Sequence, residues 1–174
     1  MATNHVISSG DYIRPYTRSG AQPEILGIGE STAQSFKYGD VLEQDSLVST
    51  SFHRAAVAVR SNSTITSTSI IGVASAPASS VADQTIGFYS ATPQNVFWAR
   101  TINNTLQSTN VGGFYGLAKD TTNNVTLVDL GNAASTSLRV CITGLIDPIG
   151  DSGGAVTFKF GRPAGSTVTF GLGY

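Results

Sequence analysis

The chain holds one cysteine, Cys141, among 174 residues. A lone thiol excludes an intrachain disulfide framework and any zinc site built on cysteine. Charge is scarce as well. Asp, Glu, Lys and Arg make up 12% of the chain and the net charge is −1, against roughly 25% charged residues in ordinary soluble domains. Without a basic face there is no basis for electrostatic binding to nucleic acid. No window approaches the ~20 apolar residues of a membrane-spanning helix. The opening stretch, MATNHVISSGDYIRPYTRSG, lacks the apolar core of a secretory signal. These absences predict a protein made in a cytoplasm, with neither membrane nor nucleic acid as a direct partner. The sequence also lacks G-x-x-x-x-G-K-[ST], H-E-x-x-H and an EF-hand loop. Its two histidines, His5 and His53, stand too far apart in sequence to suggest a metal pair. No cofactor and no metal site is expected.

Sustained 3.6-residue periodicity is missing too; what is there is strand grammar. Ser, Thr, Asn and Gly fill the space left by charge, and 40% apolar residues suffice for a real core. Short runs such as Ile70–Ala74, Thr85–Tyr89, Val111–Leu117, Val125–Asp129 and Ser166–Phe170 lie between turn-forming clusters. Ala55 to Arg60 has some helical propensity, but its β-branched surroundings favour strand. Trp98, the only tryptophan, sits in an apolar run and reads as a core or interface anchor. Cys141 falls in an alternating strand as a half-buried small residue. Sequons at Asn62, Asn103 and Asn124 read as chance in a Ser/Thr/Asn-rich chain. The predicted fold is all-β, a small β-barrel or β-sandwich over residues 35–174.

Residues 1–34 carry little periodic signal and are predicted to form an extended N-terminal arm. Tyr12, Arg14, Tyr16 and Arg18 recur at spacing two around Pro15. Aromatic and Arg side chains are enriched at interface anchors, so these four are the candidate partner contacts. The bland alternative is a frayed terminus or a first edge strand.

The stretch with the strongest pattern is Leu138 to Phe160, LRVCITGLIDPIGDSGGAVTFKF. Val140 and Ile142, then Val156, Phe158 and Phe160, alternate with polar or small residues on either side of a turn-rich loop. That loop spells GDSGG, the nucleophile string of chymotrypsin-like serine proteases. A site of that kind needs an exposed Ser, a His within reach and an Asp to orient it. His53, Asp83 and Ser152 occur in the required order, and the glycines could leave N–H groups for an oxyanion hole. Three features oppose this. His53 lies in Ser-Phe-His-Arg, without the Ala-Ala-His-Cys context of that family. Ala155 follows Gly154 where the family has proline. Only 22 residues remain after Ser152. Gly, Asp and Ser also make ordinary turns, and the loop is read as one. A third possibility, a carbohydrate-binding or adhesive β module, would need exposed aromatics; Tyr89, Trp98, Tyr115 and Tyr174 are the candidates.

The order of phrases carries a resemblance. SFKYGDVLEQDS, SIIGVASAPASS, IGFYSATPQNVFWA, GGFYGLAKD, VTLVDLG and the closing LRVCITGLIDPIGDSGGAVTFKF together resemble the small β-barrel head decoration, or cement, proteins of tailed bacteriophages. The resemblance runs from about Ser35 to Phe160 and does not cover residues 1–34. It implies a non-enzymatic virion protein on the outer surface of an assembled capsid. Its partner would be the major capsid protein. It would act as a homo-oligomer, a trimer near local threefold axes in preference to a dimer, and the loop at Gly150–Gly154 would be a turn.

Overall fold

Apolar residues that recur every second position, separated by turn residues, build one strand after another. The structure is a computed structural model and describes residues 2–16, 25–30, 34–44, 54–57, 69–82, 84–132, 139–161 and 169–170. In chain order the strands are β1 (Arg14–Pro15), β2 (Ile25–Glu30), β3 (Val41–Gln44), β4 (Arg54–Val57), β5 (Ser69–Ala74) and β6 (Thr85–Ser90). They continue as β7 (Phe97–Ile102), β8 (Phe114–Asp120), β9 (Val125–Asp129), β10 (Val140–Leu145), β11 (Ala155–Phe160) and β12 (Thr169–Phe170). A single 3-10 turn, Ser108–Asn110, is the only helical element among the described residues. The fold is all-β, as the alternation requires.

The strands form two six-stranded sheets. The first has the order β1-β7-β11-β10-β8-β9, and a further β7–β9 pairing closes it into a ring. The second runs β12-β5-β3-β4-β2-β6 and is closed in the same way by β5–β6. The hairpin anticipated at Leu138–Phe160 is β10 with β11, pairing Val140 with Phe160 and Ile142 with Phe158. The β8–β9 turn is fixed by Asp120, whose carboxylate accepts from Thr122 N (3.0 Å) and Asn123 Nδ2 (2.8 Å). Two of the three sequons have a backbone explanation. Asn103 (φ 71°) and Asn124 (φ 56°) occupy left-handed turn positions, which Asn tolerates better than other side chains.

One apolar cluster joins Phe97, Ala99, Leu117, Val128, Val140, Ile142, Val156, Phe158 and Phe160 of the first sheet to Val41, Ile70, Val73 and Tyr89 of the second. The opposite face of the second sheet, with Leu42, Ile71, Ala74, Ile86 and Phe88, packs with Phe36 into a smaller cluster. A register shift between Leu42 and Glu43 sets Ile70 opposite Glu43. Neighbouring Ile70 and Ile71 face different clusters, as alternation requires, but Ile70 shares the main cluster with Val73 and Ile71 the smaller one with Ala74, pairings three residues apart that strict alternation would not give. The two sheets also share a buried ion pair: Lys119 Nζ of β8 lies 2.7 Å from Asp40 Oδ1, just ahead of β3. Where the clusters meet, Tyr38 packs edge-on to Tyr12 (4.8 Å between centroids). Its phenol is pushed up to about 12 by a hydrogen bond with Tyr89 and by burial.

The described parts of residues 1–34 are docked into the domain and do not stand apart from it. Ile13 is fully buried in the main cluster, β1 pairs with β7, and β2 pairs with β6 and β4. A boundary at residue 34 therefore has no counterpart in the packing. The reason is Ile13, an apolar side chain flanked on each side by polar or aromatic neighbours. Cys141 is half-buried, and burial pushes its thiol up, which makes it a poorer nucleophile.

Candidate functional site

The loop between β10 and β11 is held from two sides. On the barrel side Gly150 N donates to Leu106 O (2.8 Å), Leu106 N to Asp151 O (2.9 Å), and Thr101 N to Gly154 O (3.0 Å). On the other side lies the N-terminal segment. Ser152 N donates to Thr3 O and His5 N to Ser152 O, both at 2.9 Å, so Asn4 and Ser152 form a parallel bridge. The approach is close enough that a Cβ on Gly153 (φ +66°) would fall 2.9 Å from His5 O. Only glycine combines that backbone angle with that proximity.

Side chains complete the clasp. Asp151 is only 2% exposed. Its Oδ1 accepts from Thr3 N at 2.6 Å, and its Oδ2 lies 3.0 Å from His5 Nε2. The Thr3 N–H foremost, and then the His5 ring, hold this carboxyl below the ordinary carboxylate range. Asp147 Oδ2 accepts from Ala155 N (2.9 Å) and Arg100 (3.0 Å) and lies 3.4 Å from the same His5 nitrogen. Arg100 Nε reaches back to Asp11 Oδ1 at 3.0 Å, while Asp11 Oδ2 accepts from the Ser8 N–H and hydroxyl, each at 2.8 Å. A continuous chain of charge, Asp11–Arg100–Asp147–His5–Asp151, thus straps residues 3–11 across the loop. Residues 2–10 contribute nothing to the buried core, so polar interactions are what hold them.

Of the protease candidates, Ser152 is in this clasp, whereas His53 and Asp83 lie outside the described residues. The Ser152 N–H, which an oxyanion hole would use, donates to Thr3 O. The histidine that comes beside GDSGG is His5, and its ring meets Asp151 and Asp147. Of the four candidate partner contacts, Arg14 is exposed with its guanidinium 4.1 Å over the Trp98 ring. Tyr12 and Tyr16 are half-buried, and Arg18 lies outside the described residues. The carbohydrate reading needed exposed aromatics, and Tyr89 and Trp98 are buried instead. Tyr89 belongs to the shared core and Trp98 lies beneath Arg14. Tyr115 is half-buried and its hydroxyl accepts from Asn110 Nδ2 at 2.8 Å; Tyr174 lies outside the described residues. Comparison of the chain with protein-family models, with curated proteins and with solved structures gives no match.

Ser152→Ala is expected to change stability by no more than ~0.5 kcal/mol, because the ladder uses the Ser152 backbone and exposed-side substitutions away from special features are mild. Gly153→Ala should cost over ~1 kcal/mol through its φ and the His5 carbonyl. Urea unfolding of both variants checks this, and the reverse ranking would contradict the clasp.

The clasp is also acid-sensitive at Asp11. Burial alone would raise this carboxyl, but hydrogen bonds from Ser8 and Arg100 outweigh it and hold it below 3.8. A carboxyl lowered in the folded state stabilises that state above its unfolded value and loses the contribution as pH falls through the folded value. The Ser8 amide resonance should therefore show an inflection below about pH 4 that disappears in Asp11→Asn. An inflection at or above the ordinary aspartate value would refute it.

Proposed function

We propose that this chain is a structural virion protein that binds the outer surface of an assembled phage capsid and stabilises the shell, without catalysis. The observation that carries this reading is the use made of the GDSGG loop. Its Ser152 N–H, its Asp151 carboxylate and the close approach at Gly153 all serve to fasten the N-terminal segment. A loop committed in this way is a structural element. The ordered phrase resemblance from Ser35 to Phe160 supplies the kind of structure it serves. Low charge and abundant hydroxyls suit a surface that must lie close to neighbouring copies. The mechanism is mass action: a protein that binds only the assembled shell stabilises it by its binding free energy at every site. The major capsid protein is the proposed partner and a trimer the proposed assembly. Exposed Arg14, with Tyr12 and Tyr16 beside it, is the proposed contact ridge.

The test is saturable co-sedimentation of the purified protein with expanded, DNA-free phage heads, together with a rise in the temperature at which the heads melt. Arg14→Ala should weaken binding roughly fivefold or more, as loss of an interface anchor does. Absence of co-sedimentation at micromolar protein would end the capsid reading. Labelling of Ser152 by a fluorophosphonate would restore the protease alternative.

A further inference from the structure

We infer that His5, Asp147 and Asp151 form a binding site for a divalent first-row transition ion, zinc above all, which staples the N-terminal segment to the β10–β11 loop. This inference does not depend on the capsid reading. The three residues can each offer one donor atom, and these atoms lie within 4.8 Å of one another. His5 Nε2 is 3.0 Å from Asp151 Oδ2 and 3.4 Å from Asp147 Oδ2. A tetrahedral zinc ion with bonds near 2.0–2.1 Å spaces its ligands about 3.3 Å apart, so both His5–carboxylate distances are close to coordination spacing.

The carboxylates are oriented from outside. Asp151 is held through Oδ1 by Thr3 N, which leaves Oδ2 facing the imidazole. Asp147 is held through Oδ2 by Ala155 N and Arg100, and its Oδ1 has no hydrogen-bond partner among the described residues. Backbone and guanidinium donors that orient a carboxylate are the outer-shell support that metal sites use.

Charge argues the same way. Asp11, Asp147 and Asp151 face Arg100, which bridges the first two, and the chain's N-terminal charge acts on Asp151. Only an imidazole lies between Asp147 and Asp151. A divalent ion there balances the surplus. One imidazole with two carboxylates suits zinc or manganese, whereas calcium and magnesium prefer all-oxygen shells. The donors come from opposite ends of the chain, 146 residues apart for His5 and Asp151. The site exists only while the segment is docked, so binding energy becomes docking energy.

The experiment titrates zinc into the chelator-stripped full chain by calorimetry, with cobalt absorption as a second reading of the site. One ion should bind per chain at micromolar or tighter Kd. At 100 µM zinc, Tm should rise by roughly 5 °C. His5→Gln and Asp147→Asn should each weaken binding at least tenfold, while His53→Gln should leave it intact. Both ligand variants alter partly exposed side chains, so folding is retained. The inference is overturned if no zinc binds up to 1 mM, if binding survives His5→Gln, if it is lost in His53→Gln, or if calcium binds as tightly as zinc.

Discussion

Asp40→Ala is expected to lower the free energy of unfolding by about 3–5 kcal/mol, the usual cost of removing one partner from a buried ion pair. Asp40 and Lys119 are 6% and 10% exposed and 2.7 Å apart. The alanine variant would leave the largely buried Lys119 ammonium without its counter-ion. It would also strip Lys37 N of its acceptor, Asp40 Oδ2, at 2.8 Å. The pair joins the loop ahead of β3 to β8, so its loss should loosen one sheet from the other. The double variant Asp40→Leu with Lys119→Met should cost less than Asp40→Ala, because no charge is then stranded. Urea denaturation of all three chains reads this directly. A loss under about 1 kcal/mol for Asp40→Ala would show that water reaches the pair and solvates it.

Phe158→Ala should be of similar size, about 3–5 kcal/mol, for a different reason. Phe158 is fully buried and sits between two other rings, with centroids 5.7 Å from Phe97 and 5.5 Å from Phe160. Alanine removes the transfer free energy of a ring and leaves a cavity that a closed sheet cannot readily collapse around. Phe158→Leu, which keeps much of the volume, should cost well under half as much. Thermal and urea unfolding should agree. Equal losses for both variants would point to ring–ring geometry and away from volume.

The hairpin that contains Phe158 was the part most open to reading from the sequence. Val140, Ile142, Val156 and Phe158 keep strict period two and all are buried in one cluster. The run at Arg54–Val57 is strand, so its β-branched surroundings prevailed over local helical propensity. Other features were hidden for identifiable reasons. Alternation separates Ile70 from Ile71, but it would also put Ile70 and Val73 on opposite faces; they share one cluster where the strand's register shifts against β3. Tyr89 and Trp98 look like candidates for exposed platforms, but Tyr89 is buried in the shared core and Trp98 is covered by Arg14. The clasp was the least legible. Asp147 and Asp151 carried turn chemistry, and His5 stood alone near the start of the chain. Nothing local announces that a segment near residue 5 will run beside a loop near residue 152, since long-range pairing leaves no periodic mark on either partner. The one usable signal was the glycine pair after Ser152: two glycines exceed what a turn needs, and Gly153 marks the place where another backbone approaches.

The closure of both sheets has a consequence for crowding. An open sheet exposes a row of unpaired amides, and a second copy can extend it by pairing there. Here β7 is paired with β11 on one edge and with β1 and then β9 on the other, and β5 and β6 seal the second ring. The strands added beyond the rings, β1 and β12, have two residues each. Among the described residues, then, copies of this chain packed at high density would meet chiefly through side chains and loops. Such contacts can be specific, reversible and tuned residue by residue, whereas shared hydrogen-bond ladders tend to propagate without limit.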